Sequence, residues 1–187
     1  MLHYEVPFSS QYTDLGDHEW RARGCGIASL KMVMDFWHMQ HASNQTTELD
    51  ALLQKGLAIG AYREGVGWTH RGLVQLAQTY AYTGFNVDCA PQSPTPHSAE
   101  QTWQMLSEAL DQGPVLASVY SGLDPDRGGG HIVVITGVQD GLVLFNDPEQ
   151  LTAHEGRRVL ALEIFLRGFK RRYIVIRPEQ SDFEHAS

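Results

Sequence analysis

The sequence predicts an α+β fold in which helices come first and an antiparallel β-sheet follows. Helical patterns dominate residues 1–113, whereas apolar strand-like runs separated by turn signals dominate residues 114–178. This separation, unlike strand–helix alternation, is typical of helices packed on one side of a sheet. A length of 187 residues with 42% apolar side chains indicates one domain with a real core. We therefore expect a single domain over 1–178, made of a mainly helical lobe (1–113) and a β-sheet lobe (114–178), followed by a polar tail (179–187).

The first helix has the strongest pattern of the four in the helical lobe. Ile27, Leu30, Met34 and Trp37 recur at helical spacing, and the segment is apolar on most sides. It should therefore be a central, buried helix that begins near Cys25. Three further helices are expected over Thr47–Lys55, ending at Gly56, over Thr69–Tyr82, and over Ala99–Gln112, where Ser98 and Gln101 form a capping-box signature.

The strands of the second lobe are marked by runs of branched apolar residues. We expect strands over Val115–Tyr120, His131–Thr136, Leu142–Asn146 and Tyr173–Ile176, a short β segment over Asn86–Cys89, and a short helix around Leu162–Phe169. The turn sequence Gln139-Asp140-Gly141 indicates a hairpin between the second and third of these strands.

Composition excludes several classes of function. A net charge of −8 argues against a nucleic-acid partner, and we interpret the basic cluster Lys170–Arg172 as a solvent-exposed entry to the last strand. No apolar run approaches the roughly 20 residues of a membrane-spanning helix. Residues Met1–Glu5 lack the features of a signal peptide, so two free thiols in a reducing cytoplasm are expected.

One of the two cysteines, Cys25, lies between Gly24 and Gly26 at the start of the first helix. It is either a small packed residue or a nucleophile. A helix N-terminus stabilises an anion such as a thiolate, and it lowers the pKa of a thiol. The two glycines would leave room for a substrate, and the Cys25 N–H would be available to an oxyanion.

A thiolate nucleophile needs a proton carrier and a group that orients it. His131 follows three glycines and opens an apolar strand, while Asp147 follows the partner strand of the hairpin. The two could face each other, but a turn of two to five residues does not fix the register. The alternatives are a hydrogen-bonded histidine at a strand end and a turn-forming Asp-Pro. Gln11 is a further candidate, because its amide could donate to an oxyanion.

Together, these residues resemble the papain-like cysteine peptidases, and in detail the family that cleaves double-glycine leaders from bacteriocin precursors, with its soluble relatives. The stretches that carry the resemblance are Val6–Gln11, Cys25–Trp37, Gly128–Pro148 and Arg171–Pro178. The resemblance implies a papain-like fold with Cys25 as nucleophile, His131 as general base and acid, and Asp147 as the orienting group, where papain uses Asn. Gln11 and the Cys25 N–H would form the oxyanion hole. Gln11 lies farther upstream than is usual in the family, because an insert, Asp14–Trp20, intervenes.

The expected partner is therefore a peptide or protein substrate, cleaved through an acyl-thioester, with no cofactor and no metal. Gly24, Gly26, Trp68 and Gly130 are the expected substrate-binding residues, although Trp68 has an equal claim to be a core residue. We expect His38 and His41 to act as charges near a helix C-terminus rather than as metal ligands, and Cys89 to be packed. Two other functions stay open: acyl transfer of the phytochelatin synthase or transglutaminase type, and peptide binding without turnover. The oligomeric state is not predictable.

Overall fold

The computed structural model of the chain describes residues 2–41 and 46–179. Its helices are α1 (Cys25–Gln40), α2 (Leu49–Ala58), α3 (His70–Gln78), α4 (Ala99–Leu110), α5 (Ala153–Gly156) and α6 (Leu162–Gly168). Its strands are β1 (Leu2–His3), β2 (Tyr62–Arg63), β3 (Gly67–Trp68), β4 (Tyr82–Asp88), β5 (Val115–Val119), β6 (His131–Gln139), β7 (Leu142–Asn146), β8 (Arg157–Ala161) and β9 (Phe169–Pro178).

The main sheet is antiparallel and runs β4-β9-β5-β6-β7-β8, with β1 added to part of β6. Strands β2 and β3 form a separate small hairpin. The predicted α+β class and antiparallel sheet are confirmed. Strand β4 comes from the half expected to be mainly helical, yet it forms an edge of the main sheet against β9.

The sheet carries an apolar core on each face, because successive side chains of a strand point to opposite sides. On one face α1, α2 and α3 pack against residues such as Leu116, Val134 and Ile174. On the other face α4 and α6 pack against residues such as Val133 and Tyr173, so the expectation of helices on one side of the sheet was wrong. Helix α1 is buried along most of its length, as predicted.

Two predicted helix ends were wrong. Helix α2 continues through Gly56 and ends at Ala58. Gly56 is present for close packing rather than to end the helix, because a Cβ at this position would lie 2.8 Å from the ring of Trp68. Helix α3 ends at Gln78 rather than Tyr82. Ala81 turns the chain with a φ of 60°, and Tyr82 then begins β4.

Several other boundaries follow their sequence signals. Ser98 and Gln101 form the predicted capping box of α4. The β6–β7 hairpin turns on Asp140 and Gly141, both with positive φ. Strand β8 was not predicted. Apart from residue 179, the predicted polar tail lies outside the described residues, and among those residues no helix is long and apolar enough to cross a bilayer.

Candidate active site

Cys25 is the first residue of α1, directly after the N-cap Gly24. Its thiol is free and its side chain is half-buried, whereas Cys89 is free and fully buried, as expected of a packed cysteine. One helical turn beyond Cys25, Ser29 Oγ donates a 2.9 Å hydrogen bond to the carbonyl oxygen of Ile132. This buried bond fastens the start of α1 to β6, at the residue next to His131.

His131 and Asp147 form a buried pair with 2.7 Å between His131 Nε2 and Asp147 Oδ1. Because Nε2 is engaged by Asp147, Nδ1 is the ring nitrogen left for Cys25. Burial alone lowers the pKa of His131, but hydrogen bonding and negative charge at Asp147 and Cys25 outweigh it and raise this pKa to about 10. The site therefore favours a charged imidazolium at His131, paired with the Asp147 carboxylate.

A β-bulge aligns this pair. The bulge separates two sets of ladder pairs: Val134–Asn146 and Ile135–Phe145 on one side, and Gly137–Leu144 on the other. The extra residue on β6 is Thr136. Without it, the register set by the two-residue turn would place Asp147 on the opposite face of the sheet from His131, since a one-residue slip reverses every side chain. With it, Asp147 is a diagonal neighbour of His131 on the same face.

Asp147 is held by more than its histidine. Its Oδ1 also accepts the backbone N–H of Glu149 at 3.1 Å, and its Oδ2 accepts Arg158 Nη1 at 3.0 Å. Burial raises the pKa of Asp147, yet the hydrogen bond and charge of His131, the Glu149 N–H and Arg158 together lower this pKa to about 2. Arg158 lies on the unpredicted strand β8, and no sequence signal distinguishes it from a surface arginine.

Gln11 reaches the start of α1 despite the insert. Its buried side chain packs against Gly24, where a Cβ would lie 3.0 Å from Gln11 Cβ. Its backbone N–H donates to the Pro148 carbonyl at 2.9 Å, which ties it to the segment after β7. The amide Nε2 donates to the carbonyl oxygen of Arg21 at 2.9 Å. A primary amide has two N–H groups, so a second donor exists for another acceptor. The oxyanion role of Gln11 stays a prediction.

The structure corrects the interpretation of the two glycines as open access for a substrate. Gly24 and Gly26 are buried and lie outside the cavity lining. A Cβ on Gly26 would lie 2.8 Å from Trp68 Cβ and Cγ, so protein side chains fill the room that both glycines leave. They act as packing residues at the helix start.

A cavity of about 530 Å³ opens beside the thiol, a size typical of ligand sites. Cys25, His131, Trp68 and Gly130 all line it. Trp68 is buried as a core residue would be, and its Nε1 donates to the Arg23 carbonyl at 2.7 Å. It also forms part of the cavity wall, and its role in substrate binding stays a prediction.

The insert packs against the same wall without lining the cavity. Its last residue, Trp20, packs edge-on against Tyr62, with 4.8 Å between ring centroids, and Tyr62 lines the cavity. Asp50 on α2 anchors the insert by accepting the backbone N–H groups of Gly16 and Asp17.

The far end of the cavity carries residues that were not predicted as site residues. Lys170 and Arg172 line it, and all three residues of the basic cluster are half-buried rather than fully solvent-exposed. His70 and Ser118 line the same end, with 2.6 Å between His70 Nε2 and Ser118 Oγ. The basic cluster was the signal available in the sequence.

His131 and Asp147 also form a possible metal-ligand set with Glu149, because donor atoms of the three residues lie within 4.8 Å of one another. However, two ligands about 2.1 Å from a tetrahedral ion lie roughly 3.4 Å apart. The 2.7 Å between Nε2 and Oδ1 is instead a charge-assisted hydrogen bond. The arrangement therefore fits proton transfer better than metal binding.

Similar structures share this fold. A double glycine motif protease from an AMS/PCAT transporter, solved with its leader peptide, has 19% identity and a TM-score of 0.59, and 94% of each chain is covered. The peptidase domain of Streptococcus ComA, a bifunctional ABC transporter, has 18% identity and a TM-score of 0.59, over 84% of this chain and 93% of that one. A C39-like peptidase from Bacillus anthracis has 19% identity and a TM-score of 0.58, over 92% and 95%.

No curated protein sequence matches the chain. The model of the Peptidase_C39 like family, by contrast, matches residues 3–180. This match covers the cysteine at the helix start, the histidine that opens β6 and the aspartate that follows β7. The chain therefore belongs to the peptidase C39-like family of cysteine-type peptidases.

Proposed function

We propose that the chain hydrolyses a peptide bond through Cys25, His131 and Asp147. The observation that carries the proposal is the buried His131–Asp147 pair, whose remaining ring nitrogen serves a cysteine at a helix N-terminus. A buried imidazolium is costly unless it is paired with an anion. The Asp147 carboxylate therefore stabilises the charged form of His131, and charged His131 in turn favours a thiolate at Cys25.

The reaction proceeds in two halves. In the reactive form His131 Nδ1 already holds the proton of Cys25, and the thiolate attacks the carbonyl carbon of the substrate. The oxyanion accepts hydrogen bonds from the Cys25 N–H and the Gln11 amide. His131 then gives its proton to the leaving nitrogen as the C–N bond breaks, which leaves an acyl-thioester. Water, deprotonated by His131, attacks the thioester, and the Cys25 thiol is restored.

We further propose that the substrate carries a Gly-Gly pair before the scissile bond. Membership in the C39-like family and the likeness to a double glycine motif protease solved with a leader peptide support this class. The Cys25 thiol is half-buried beside packed aromatic side chains, so little room is left around it. This favours glycines in the substrate next to the carbonyl that the thiol attacks.

The test is cleavage of a peptide library with a central Gly-Gly pair, read by mass spectrometry. We expect cleavage after the pair by the wild-type protein and none by a folded Cys25→Ala variant. Iodoacetamide should alkylate Cys25 faster than it alkylates free glutathione, and His131→Ala should remove this advantage. Products at equal rates from both proteins, or a Cys25 thiol no faster than glutathione, would refute the triad.

Two other functions are separated by the same assay. Acyl transfer predicts new amide products when amines compete with water, whereas hydrolysis predicts the free acid throughout. A peptide-binding module without turnover predicts binding by the wild-type and Cys25→Ala proteins alike, with no product from either.

A further inference from the structure

The cavity beside Cys25 is positively charged, although the chain as a whole has a net charge of −8. Among the described residues, its lining holds one carboxylate, Asp88, and, besides His131, four cationic side chains: Arg23, Arg71, Lys170 and Arg172. Arg23 lies at an exposed edge and pairs with Glu64 at 3.8 Å. The charges at the far end, on β9, are the less exposed ones.

Lys170 is held in place beside the catalytic strand. Its Nζ donates to the Gly129 carbonyl at 2.7 Å and lies 4.9 Å from the ring centroid of Tyr120. A Cβ on Gly130, the residue before His131, would lie 3.5 Å from this ammonium. The charge is therefore fixed next to the start of β6, within the cavity that the thiol shares.

Arg172 and His70 complete this end. Arg172 Nε lies 2.9 Å from Asp88 Oδ2, so one carboxylate already sits there. Burial, followed by the charge of Arg172, lowers the pKa of His70 to about 4, which leaves a neutral imidazole bonded to Ser118. Burial and Arg172 also lower the pKa of Lys170.

The cationic groups at this end thus repel one another, and one carboxylate offsets them. Electrostatic repulsion of this kind is relieved when a ligand supplies a further negative charge. A neutral Ser118–His70 pair beside two fixed cations also supplies hydrogen-bonding groups without a competing negative charge. These features match the needs of a carboxylate, which accepts several hydrogen bonds at once.

We propose that the basic subsite, defined as Lys170, Arg172, His70 and Ser118, binds a carboxylate of the peptide substrate. The proposal rests on the proposed peptidase function and adds a specificity to it. The carboxylate belongs either to an Asp or Glu side chain near the scissile bond or to the free C-terminus of the peptide. Both sources have the same chemistry, and the peptides below separate them.

The test uses paired peptides with a central Gly-Gly. A single Glu is moved through four positions on each side of the pair, and each peptide has a Gln counterpart, with a free or an amidated C-terminus. Two readouts are made: kcat/KM with the wild-type protein, and affinity for the inactive Cys25→Ala protein by calorimetry. The second readout does not depend on turnover.

At one position the Glu peptide should exceed its Gln counterpart about tenfold in kcat/KM and in affinity, or the free C-terminus should exceed the amidated one by this ratio. Charge-assisted hydrogen bonds are strong enough to give a ratio of this size. The preference should shrink in 0.5 M NaCl, because partly exposed charges are screened. Lys170→Met and Arg172→Met should bring the ratio close to one, while Arg172→Lys should keep most of it. Lys55→Met removes an exposed cation outside the cavity and should leave the ratio unchanged.

The outcomes distinguish this proposal from the peptidase function. Cleavage with ratios within twofold at every position would overturn the subsite and leave the peptidase function standing. No cleavage, with a tenfold preference in binding to Cys25→Ala, would support the subsite and overturn the peptidase function. Neither cleavage nor a preference in binding would overturn both.

Discussion

Replacing Asp147 by asparagine removes one charge from the site with little change in volume. Both carboxylate oxygens face donors. Oδ1 lies 2.7 Å from His131 Nε2 and also accepts the Glu149 N–H, whereas Oδ2 lies 3.0 Å from Arg158 Nη1 and 3.5 Å from Gln150 Nε2. An amide has one oxygen and one NH₂ group, so either His131 or Arg158 must face a donor in the variant. The substitution therefore removes the charge and breaks the hydrogen bonds at one of the two oxygen positions.

The size of the effect follows from this geometry. Hydrogen bonds to charged groups contribute about 1.5–3 kcal/mol and neutral ones about 0.5–1.5 kcal/mol. The difference of about 1–2 kcal/mol corresponds to roughly one pKa unit of His131. Since Asp147 helps to raise this pKa, its loss should move the alkaline limb of kcat/KM about one pH unit lower. Activity at the optimum should fall at least about tenfold.

The assay is kcat/KM on a Gly-Gly peptide from pH 5 to 11, together with the rate of iodoacetamide inactivation over the same range. Asp140→Asn is the matched control, because it makes the same change in the exposed β6–β7 turn. Adding Arg158→Met to Asp147→Asn should recover part of the activity, because the amide NH₂ can then take the Oδ2 position without facing the charged Arg158 donor, while the amide oxygen accepts from His131. An alkaline limb at the same pH in Asp147→Asn and Asp140→Asn would refute the reasoning.

Three further predictions concern stability. Ser29→Ala leaves the Ile132 carbonyl without its 2.9 Å bond in the core, so urea titration should show a loss of about 1–3 kcal/mol, and iodoacetamide should react more slowly with the cysteine. Gly26→Ala places a Cβ 2.8 Å from Trp68. Although alanine has the better helix propensity, thermal unfolding should show a net loss of stability of about 1–2 kcal/mol, and the tryptophan emission should shift. Unchanged stability and emission would contradict this packing. The pKa of His70 is about 4 in the folded protein and about 6.5 in the unfolded chain, so this histidine does not affect stability above pH 6.5. As the pH falls from 6.5 to 4, the unfolded chain binds a proton first, and the free energy of unfolding should fall by up to about 3 kcal/mol. In urea titrations at several pH values, His70→Phe should flatten this pH dependence, and an unchanged slope would contradict the assignment.

The sequence predicts the position of Cys25 better than it predicts the contact between His131 and Asp147. Cys25 follows from local chemistry, because a cysteine before an apolar 3.6-residue pattern must lie at a helix N-terminus. The His131–Asp147 contact does not, since its geometry depends on one bulged residue, Thr136. Whether a strand bulges depends on tertiary packing, here including a 2.7 Å bond from the Tyr4 N–H to the Thr136 carbonyl.

Glycines and charges were harder to interpret than apolar patterns. Gly26 and Gly56 both lie against Trp68, a residue distant from them in the sequence, so their role as packing residues is visible once the chain folds. Lys170 and Arg172 look like surface charges in sequence. They line the cavity because β9 lies beside β5 and β4 in the sheet, a strand order that no local pattern specifies.

The central claim is that Cys25 carries the reaction. Its most direct test is the rate at which a peptide with a central Gly-Gly pair is cleaved by the wild-type protein and by Cys25→Ala, measured by mass spectrometry after both are shown to be folded by circular dichroism. We predict cleavage after the Gly-Gly pair by the wild-type protein and a rate at background for Cys25→Ala. Equal rates of cleavage by the two folded proteins would contradict the claim.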